Sequence, residues 1–428
     1  MSDESKSGGR LGPASLVSLA TGGMVGGGIY VALGVVVEAA GQWAWLSFAL
    51  AGVIAVTTAY AYATLTNHFE SSGGAFGFLE HIDRSGFAGS LSWVLLVAYT
   101  LTIALYAYAF GEYVSHALDW SAPWPKVLSL IVLAGLTALN LVGVGKVKGV
   151  EITIVTGNLL VLLILAVVGL VGWWSPERLV APQGPMPAWN AWMGAAAIFV
   201  AYEGFQLLTY EYDEVRDPKR ILAPSLVGSA LAVVLIYAVV AVGATMIAGA
   251  GTVIEHKSIA LSEAAVLAAG SPGLVVMTIA AAFATSAAII STLVSSGKLA
   301  RRVSDDGELP AWFDHRNAED VPDRPIMLLG AAAAVLVWVG SLAALVEAAS
   351  LAFLAAFSAV HTIALRRGIG HAWVSWLAMG FTAVIGALLI VRLATTKPVA
   401  LSLILALFAI AWLVRPWLLR HVRTEQGG

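Results

Sequence analysis

The sequence predicts an all-α membrane protein of twelve transmembrane helices. They form an inverted five-plus-five repeat, with two peripheral helices added and with helices 1 and 6 broken. Composition, long apolar runs and the placement of Lys and Arg predict the twelve spans, and the paired interruptions of segments 1 and 6 predict the repeat. The 428 residues are 59% hydrophobic and 11% charged, with a mean hydropathy of +0.86. A soluble domain carries about 25% charged residues.

A spanning helix needs about 20 apolar residues. Twelve stretches qualify, at about 14–37, 43–66, 87–116, 126–143, 150–174, 190–210, 223–249, 272–297, 326–345, 347–365, 371–391 and 398–416. Ahead of them, residues 1–12 are polar, lack a small-residue cleavage site, and read as a cytoplasmic tail rather than a cleaved leader. Residues 13–428 then form one polytopic unit, with repeat one at about 14–174, repeat two at about 190–365 and extra helices at about 371–416.

Segment 1 carries five glycines among residues 22–28. Segments 2 to 5 are unbroken; segment 3 holds Glu112 and His116 toward one end, and segment 5 holds Asn158. Segment 6 is interrupted by Ala201-Tyr202-Glu203-Gly204-Phe205-Gln206. Segment 8 carries Thr285, Ser286 and Ser291. The largest loop, about Lys298 to Arg324, precedes segments 9 and 10, which are almost fused.

Orientation follows from the positive charges, which collect in cytoplasmic loops. With the N-terminus inside, 18 of the 23 Lys and Arg fall on the inner side; Lys126, Arg178, Lys257, Arg392 and Lys397 fall outside. An odd number of spans destroys this agreement. Both termini are therefore expected in the cytoplasm of a multi-pass protein of the cell membrane. Tryptophans near segment ends, among them Trp43, Trp120, Trp124 and Trp189, read as interfacial belts.

Composition also excludes. A net charge of −3 gives no footing for nucleic acid, and the absence of cysteine removes disulfides, thiol catalysis and thiolate metal sites. No HExxH, GxSxG or P-loop occurs, which argues against an enzyme and against ATP-driven transport by this chain alone. No catalytic, metal or cofactor site is expected.

The glycines of segment 1 each weaken a helix by about 1 kcal/mol relative to alanine. In lipid, a broken helix is tolerated where the freed backbone groups line a protein-enclosed cavity. The run Gly22-Gly23-Met24-Val25-Gly26-Gly27-Gly28 therefore reads as a ligand contact, with close helix packing through GxxxG spacing as the plainer alternative. Segment 6, five segments on, is interrupted in its turn. Paired interruptions are what an inverted repeat predicts.

Four stretches resemble the amino acid–polyamine–organocation transporter family. Gly26 to Gly34 is similar to its G-x-G-I-F-x-x-P-G signature. Tyr60-Ala61-Tyr62-Ala63-Thr64-Leu65 with Ser72-Gly73-Gly74-Ala75-Phe76 is similar to its Y-A-E-L and S-G-G-x-Y pair. Glu211 to Pro224 resembles its E-E-x-x-N-P-x-R-x-I-P loop, and Lys298 to Pro310 its D-G-x-L-P loop. The matches keep the family's order and spacing over about residues 22–310. The resemblance implies a LeuT-like fold and secondary transport of amino acids or related amines, by an amino acid permease in the lipid bilayer.

An amino acid presents a carboxylate and an ammonium. No Lys or Arg lies in the middle of a segment to neutralise the carboxylate. Free N–H groups at a half-helix start can do so, aided by the positive dipole end. Gly26, Gly27, Gly28 and Ile29 are expected to supply them, and carbonyls around Val200, Ala201, Tyr202, Glu203 and Gly204 to accept from the ammonium. Glu203 is the most informative ionisable residue, since a carboxylate at mid-membrane costs at least about 2.5–3.5 kcal/mol on insertion scales. It can bind an ammonium, carry a proton, or brace the break in neutral form. The family's usual acid after Gly-Phe is Gln206 here.

Coupling to Na+ or H+ is the open point. Where some proton-coupled members carry a helix-5 lysine, this chain has Asn158, a neutral amide that cannot replace a cation. A sodium site needs oxygens from Thr285 and Ser286, although such hydroxyls commonly bond their own helix. Of the remaining polar groups, Glu112 and His116 read as a pair at the outer interface, His361 as a hydrogen-bonded core residue, and Glu38 and Glu347 as solvated segment ends. The reading is a secondary amino acid transporter, with a polyamine or organic amine carrier as the alternative and a non-transporting membrane sensor as a remote one.

Overall fold

The computed structural model describes residues 11–70, 74, 77–78, 87–143 and 150–396, with single residues at 398, 401, 402, 405 and 409. Its elements are helical. They are α1 (Pro13–Val25), α2 (Gly28–Ala40), α3 (Ala44–Phe69), α4 (Phe87–Ala117), α5 (Trp124–Leu141), α6 (Val150–Gly172) and α7 (Asn190–Ile198). Then come α8 (Pro218–Ala248), α9 (Ala250–Glu255), α10 (Ala260–Asp305), α11 (Asp323–Val339), α12 (Leu342–Arg367) and α13 (Ala372–Thr396). Between α7 and α8 the chain runs through two 3₁₀ stretches, Phe199–Tyr202 and Phe205–Glu214.

By length and composition, nine helical stretches among the described residues can cross a membrane. The exterior agrees: Val171 is 80% exposed, Val339 72% and Leu235 67%. An apolar surface of this kind suits hydrocarbon and would be a liability in water. The core is built from α2, α3, α4, the middle of α10 and α12.

The expected segments coincide with these helices up to residue 396, and the last, at 398–416, lies largely outside the described residues, as do residues 1–10, 71–73, 75–76 and 144–149. Segment 9 ends earlier than expected, at Val339, because Gly340 adopts an extended conformation and Ser341 caps α12 by accepting from the Ala344 N–H at 3.4 Å. Segment 8 belongs to a longer, bent helix. In α10, Gly270 at φ 62° and Pro272 turn the chain between the Ala260 end and the membrane-length portion.

Glu347 departs from expectation, and other charged residues find partners on other elements. Glu347 is fully buried rather than solvated, because Arg392 of α13 donates Nε–H to its Oε1 at 3.0 Å. Glu38, partly exposed, pairs with Lys257 at 2.5 Å. Glu112 and His116 do not pair with each other. Glu112 accepts from the Ser258 hydroxyl at 2.9 Å, while His116 and His256 both approach Glu263 Oε1, at 3.5 and 3.8 Å. His361 fits its core reading, its ring nitrogens 3.1 Å from the Thr58 hydroxyl and 3.2 Å from that of Ser375.

Candidate functional site

The site is built where two interrupted segments meet. Helix α1 ends at Val25 and α2 starts at Gly28, with Gly27 at φ −149°, ψ −18° between them. In the other segment, α7 gives way to the turn Phe199–Tyr202, Glu203 is extended, and Gly204 takes φ 127°. That value favours glycine, because a Cβ is strained there. The two breaks touch. A Cβ on Gly23 would lie 2.9 Å from the Gly204 carbonyl oxygen.

Each glycine of the first break abuts a different wall. A Cβ on Gly26 would strike Ala288 of α10, one on Gly27 the ring of Tyr106 in α4, and one on Gly28 the Ala201 carbonyl and the Tyr237 hydroxyl. The run therefore serves close packing as well as interruption, and side chains fill the space beside it. Ile29 is fully buried at the start of α2.

Glu203 is 1% exposed. The Tyr106 hydroxyl donates to its Oε2 at 3.1 Å, and Gln206 Nε2 donates to its Oε1 at 3.0 Å. Gln206 in turn accepts the Gly204 N–H at 3.0 Å, so it braces both the carboxyl and the break. Among the described residues no Lys, Arg or His nitrogen lies within salt-bridge distance of Glu203. Burying a charge alone is costly, so an uncompensated carboxyl suits either a proton or a cationic guest.

The carbonyls expected to be free in the second break are partly occupied. Val200 O accepts the Glu203 N–H at 2.9 Å, and Ala201 O accepts the Tyr237 hydroxyl at 3.0 Å. The same hydroxyl reaches Met24 O of α1 at 2.7 Å. Tyr202 donates to Phe48 O at 2.8 Å, and the Val200 N–H donates to Ser350 of α12 at 3.0 Å. These anchors hold the break against α3, α8 and α12.

The remaining expected residues lie on helices that flank the first break, Ala284 and Ala288 of α10 facing Gly26. Asn158 is buried and accepts the Tyr30 hydroxyl, tying α6 to α2. The Thr285 hydroxyl donates to Ala281 O of its own helix at 2.7 Å, and Ser286 is half-buried nearby. Tyr106 and Tyr237 were not anticipated. Their sequence signal is slight: each is a phenol within an apolar helix, and periodicity does not say that it faces a break.

A cavity of about 270 Å³ lies at the bundle end reached by the C-terminal part of α10, lined by Tyr210, Glu211, Asp213, Lys298, Arg301 and Arg316 among others. Lys298 bonds Glu211 across it. Close by, Leu11 pairs with the end of the second 3₁₀ stretch: its N–H donates to Glu214 O at 2.7 Å and its carbonyl accepts the Arg216 N–H at 2.9 Å. Among the described residues the buried Tyr62 hydroxyl has no hydrogen-bond partner.

A helical membrane protein whose two helix breaks touch beside the buried Glu203, with no cationic neighbour of that carboxyl among the described residues, fits the class of membrane carriers. The chain belongs to the amino acid permease family, whose family model matches residues 11–368. It is similar to the inner membrane transport protein YbaT of Escherichia coli, 27% identical over 83% of each chain. It is 29% identical to the uncharacterized transporter Rv1999c of Mycobacterium tuberculosis, over 84% of this chain and 80% of that one. Cationic amino acid transporter 3, mitochondrial, of Arabidopsis thaliana is 25% identical over 81% of this chain and 60% of its own length.

Proposed function

We propose that this permease moves amino acids across the cell membrane by alternating access, binding them between the two breaks. The observation that carries the reading is the contact between Gly23 and Gly204 beside a buried Glu203 that has no cationic partner among the described residues. The amino acid carboxylate is taken by N–H groups at Gly27, Gly28 and Ile29; the Gly26 N–H, expected to join them, already donates to Gly22 O at 2.7 Å. The ammonium is taken by carbonyls of α1 and of Ala201 to Gly204. Glu203 favours guests with a second positive charge, so cationic amino acids rank first, and polyamines or other amines second.

In this reading twelve helices form a LeuT-like five-plus-five inverted repeat, residues about 14–174 and 190–365, with the helices at about 371–416 peripheral and both termini cytoplasmic. The cavity at Lys298 and Glu211 is then the inner vestibule. With Asn158 held by Tyr30 and Thr285 by its own helix, proton coupling at Glu203, or exchange, is favoured over sodium. No further cofactor enters the scheme.

Purified protein in liposomes, offered radiolabelled arginine, lysine, alanine and leucine with and without imposed proton and sodium gradients, tests this. Uptake or exchange with arginine and lysine preferred is expected. Failure to move any amino acid or amine overturns it.

A further inference from the structure

The Tyr237 hydroxyl bonds carbonyls of both interrupted segments, Met24 O at 2.7 Å and Ala201 O at 3.0 Å. Met24 lies in the last turn of α1, and Ala201 in the 3₁₀ turn that ends before Glu203. Carbonyls at helix ends lose their helical donors and must be satisfied otherwise. Here one phenol serves two of them. A hydroxyl carries one proton, so the two acceptors share it.

Tyr237 is held in place. It is fully buried, and its ring packs edge-on against Phe48 at 5.3 Å and tilted against Tyr202 at 5.3 Å. Gly28 makes room for the hydroxyl, since a Cβ there would strike both Tyr237 Oη and Ala201 O. The oxygen therefore sits between the two breaks.

An ammonium group has three donors and a full charge. It can bond Met24 O and Ala201 O separately, and charge-assisted bonds are roughly twice as strong as neutral ones. Carbonyl ends of helices also favour a cation. A phenol is the weaker occupant of the same acceptors and yields to the stronger.

We propose that Tyr237 is a positioning residue that stands in for the substrate's ammonium when the carrier is empty, satisfying Met24 O and Ala201 O, and releases them when an amino acid binds. This rests on the reading that the breaks receive the amino group. The consequence concerns the empty carrier. With Tyr237 in place, it closes around the breaks without leaving two buried carbonyls unpaired, so it can return without cargo. Without the hydroxyl, closure around an empty site is penalised and closure around an amino acid is not. Tyr237 thus sets the balance between net transport and exchange.

The test compares Tyr237→Phe with the unmodified protein in liposomes, using radiolabelled arginine, lysine, alanine and leucine. Net uptake is read in amino-acid-free vesicles and exchange in preloaded ones. The ratio of exchange to net uptake is expected to rise at least about tenfold, the scale of leaving a buried acceptor unsatisfied. A ratio within about twofold of the unmodified protein's overturns the proposal, because a merely structural phenol scales both rates together. If the unmodified protein moves none of the four, the carrier reading falls first and this inference with it. A second measurement does not depend on the variant folding. With 3-fluorotyrosine placed at position 237, the fluorine resonance is expected to shift on adding the transported amino acid. A resonance indifferent to a saturating amino acid overturns the proposal.

Discussion

The Tyr106 hydroxyl donates to Glu203 Oε2 at 3.1 Å, while the ring of the same tyrosine lies where a Cβ on Gly27 would fall. One side chain of α4 therefore touches the first break and holds the acid of the second. Gln206 completes the arrangement from the other carboxyl oxygen, at 3.0 Å. A cationic guest that reaches Glu203 competes with two neutral donors, a replacement that charge-assisted bonding favours.

Glu203→Gln keeps the size of the side chain while removing the charge and turning one of the two acceptor oxygens into an N–H donor. Apparent affinity for arginine and lysine is expected to fall about 10- to 100-fold, the scale of a hydrogen bond to a charged group, with alanine and leucine changed by less than about threefold. Competition against a labelled neutral amino acid reads both. Equal losses for all four would assign Glu203 to proton carriage or to bracing the break.

Gly27→Ala adds one methyl group against the Tyr106 ring. Overpacking of a tight core costs about 1–3 kcal/mol. A lowered unfolding temperature and loss of most transport are expected. Tyr106→Leu in the same chain should recover part of the stability but not the transport, since the Glu203 partner is then gone. Full stability in Gly27→Ala alone would show that the two segments separate easily at this point.

Both breaks were legible because glycines and an acid stand out within apolar runs that otherwise reach membrane length. Their partners were not. Tyr237 lies 36 residues beyond Ala201, and a phenol in an apolar helix reads as core packing. Glu347 illustrates the same limit: a carboxylate at a segment end is expected in solvent unless another helix delivers a cation, and Arg392 does so from 45 residues away. Glu112 and His116, four residues apart, invited pairing along the helix, whereas their partners Ser258 and Glu263 arrive from the stretch around α9 and α10. Local spacing carries the breaks; the groups that satisfy them depend on tertiary packing.

The pair Glu347–Arg392 ties α12 to α13 with the carboxylate at 0% exposure and the arginine side chain at 16%. Removing one partner of a buried pair costs about 3–5 kcal/mol, because the other charge stays desolvated. Glu347→Ala and Arg392→Ala are each expected to lower thermal stability sharply, read by unfolding in detergent. Glu347→Leu combined with Arg392→Leu should lose less than either single alanine variant, since no buried charge remains. A loss for the double change equal to the sum of the singles would mean that the pair itself, not the orphaned charge, carries the stability.

Sodium dependence is the last prediction, and the donors on the page decide its direction. A sodium ion held beside the first break needs several oxygens free to turn toward it. The Thr285 hydroxyl instead donates to Ala281 O at 2.7 Å and approaches Ala282 O at 3.2 Å, both within its own helix. Asn158 Oδ1 accepts from Tyr30. Ser286 alone adds one hydroxyl, which is too few for a dehydrated cation. Transport is therefore expected to run at the same rate, within about twofold, in sodium, potassium or choline, and Ser286→Ala should leave that unchanged. The measurement is initial uptake of labelled arginine with each salt outside the vesicle. Uptake that requires sodium, with a requirement that rises in Ser286→Ala, would mean that Thr285 rotates away from its own helix to join the ion, and would replace the proton or exchange reading with sodium symport.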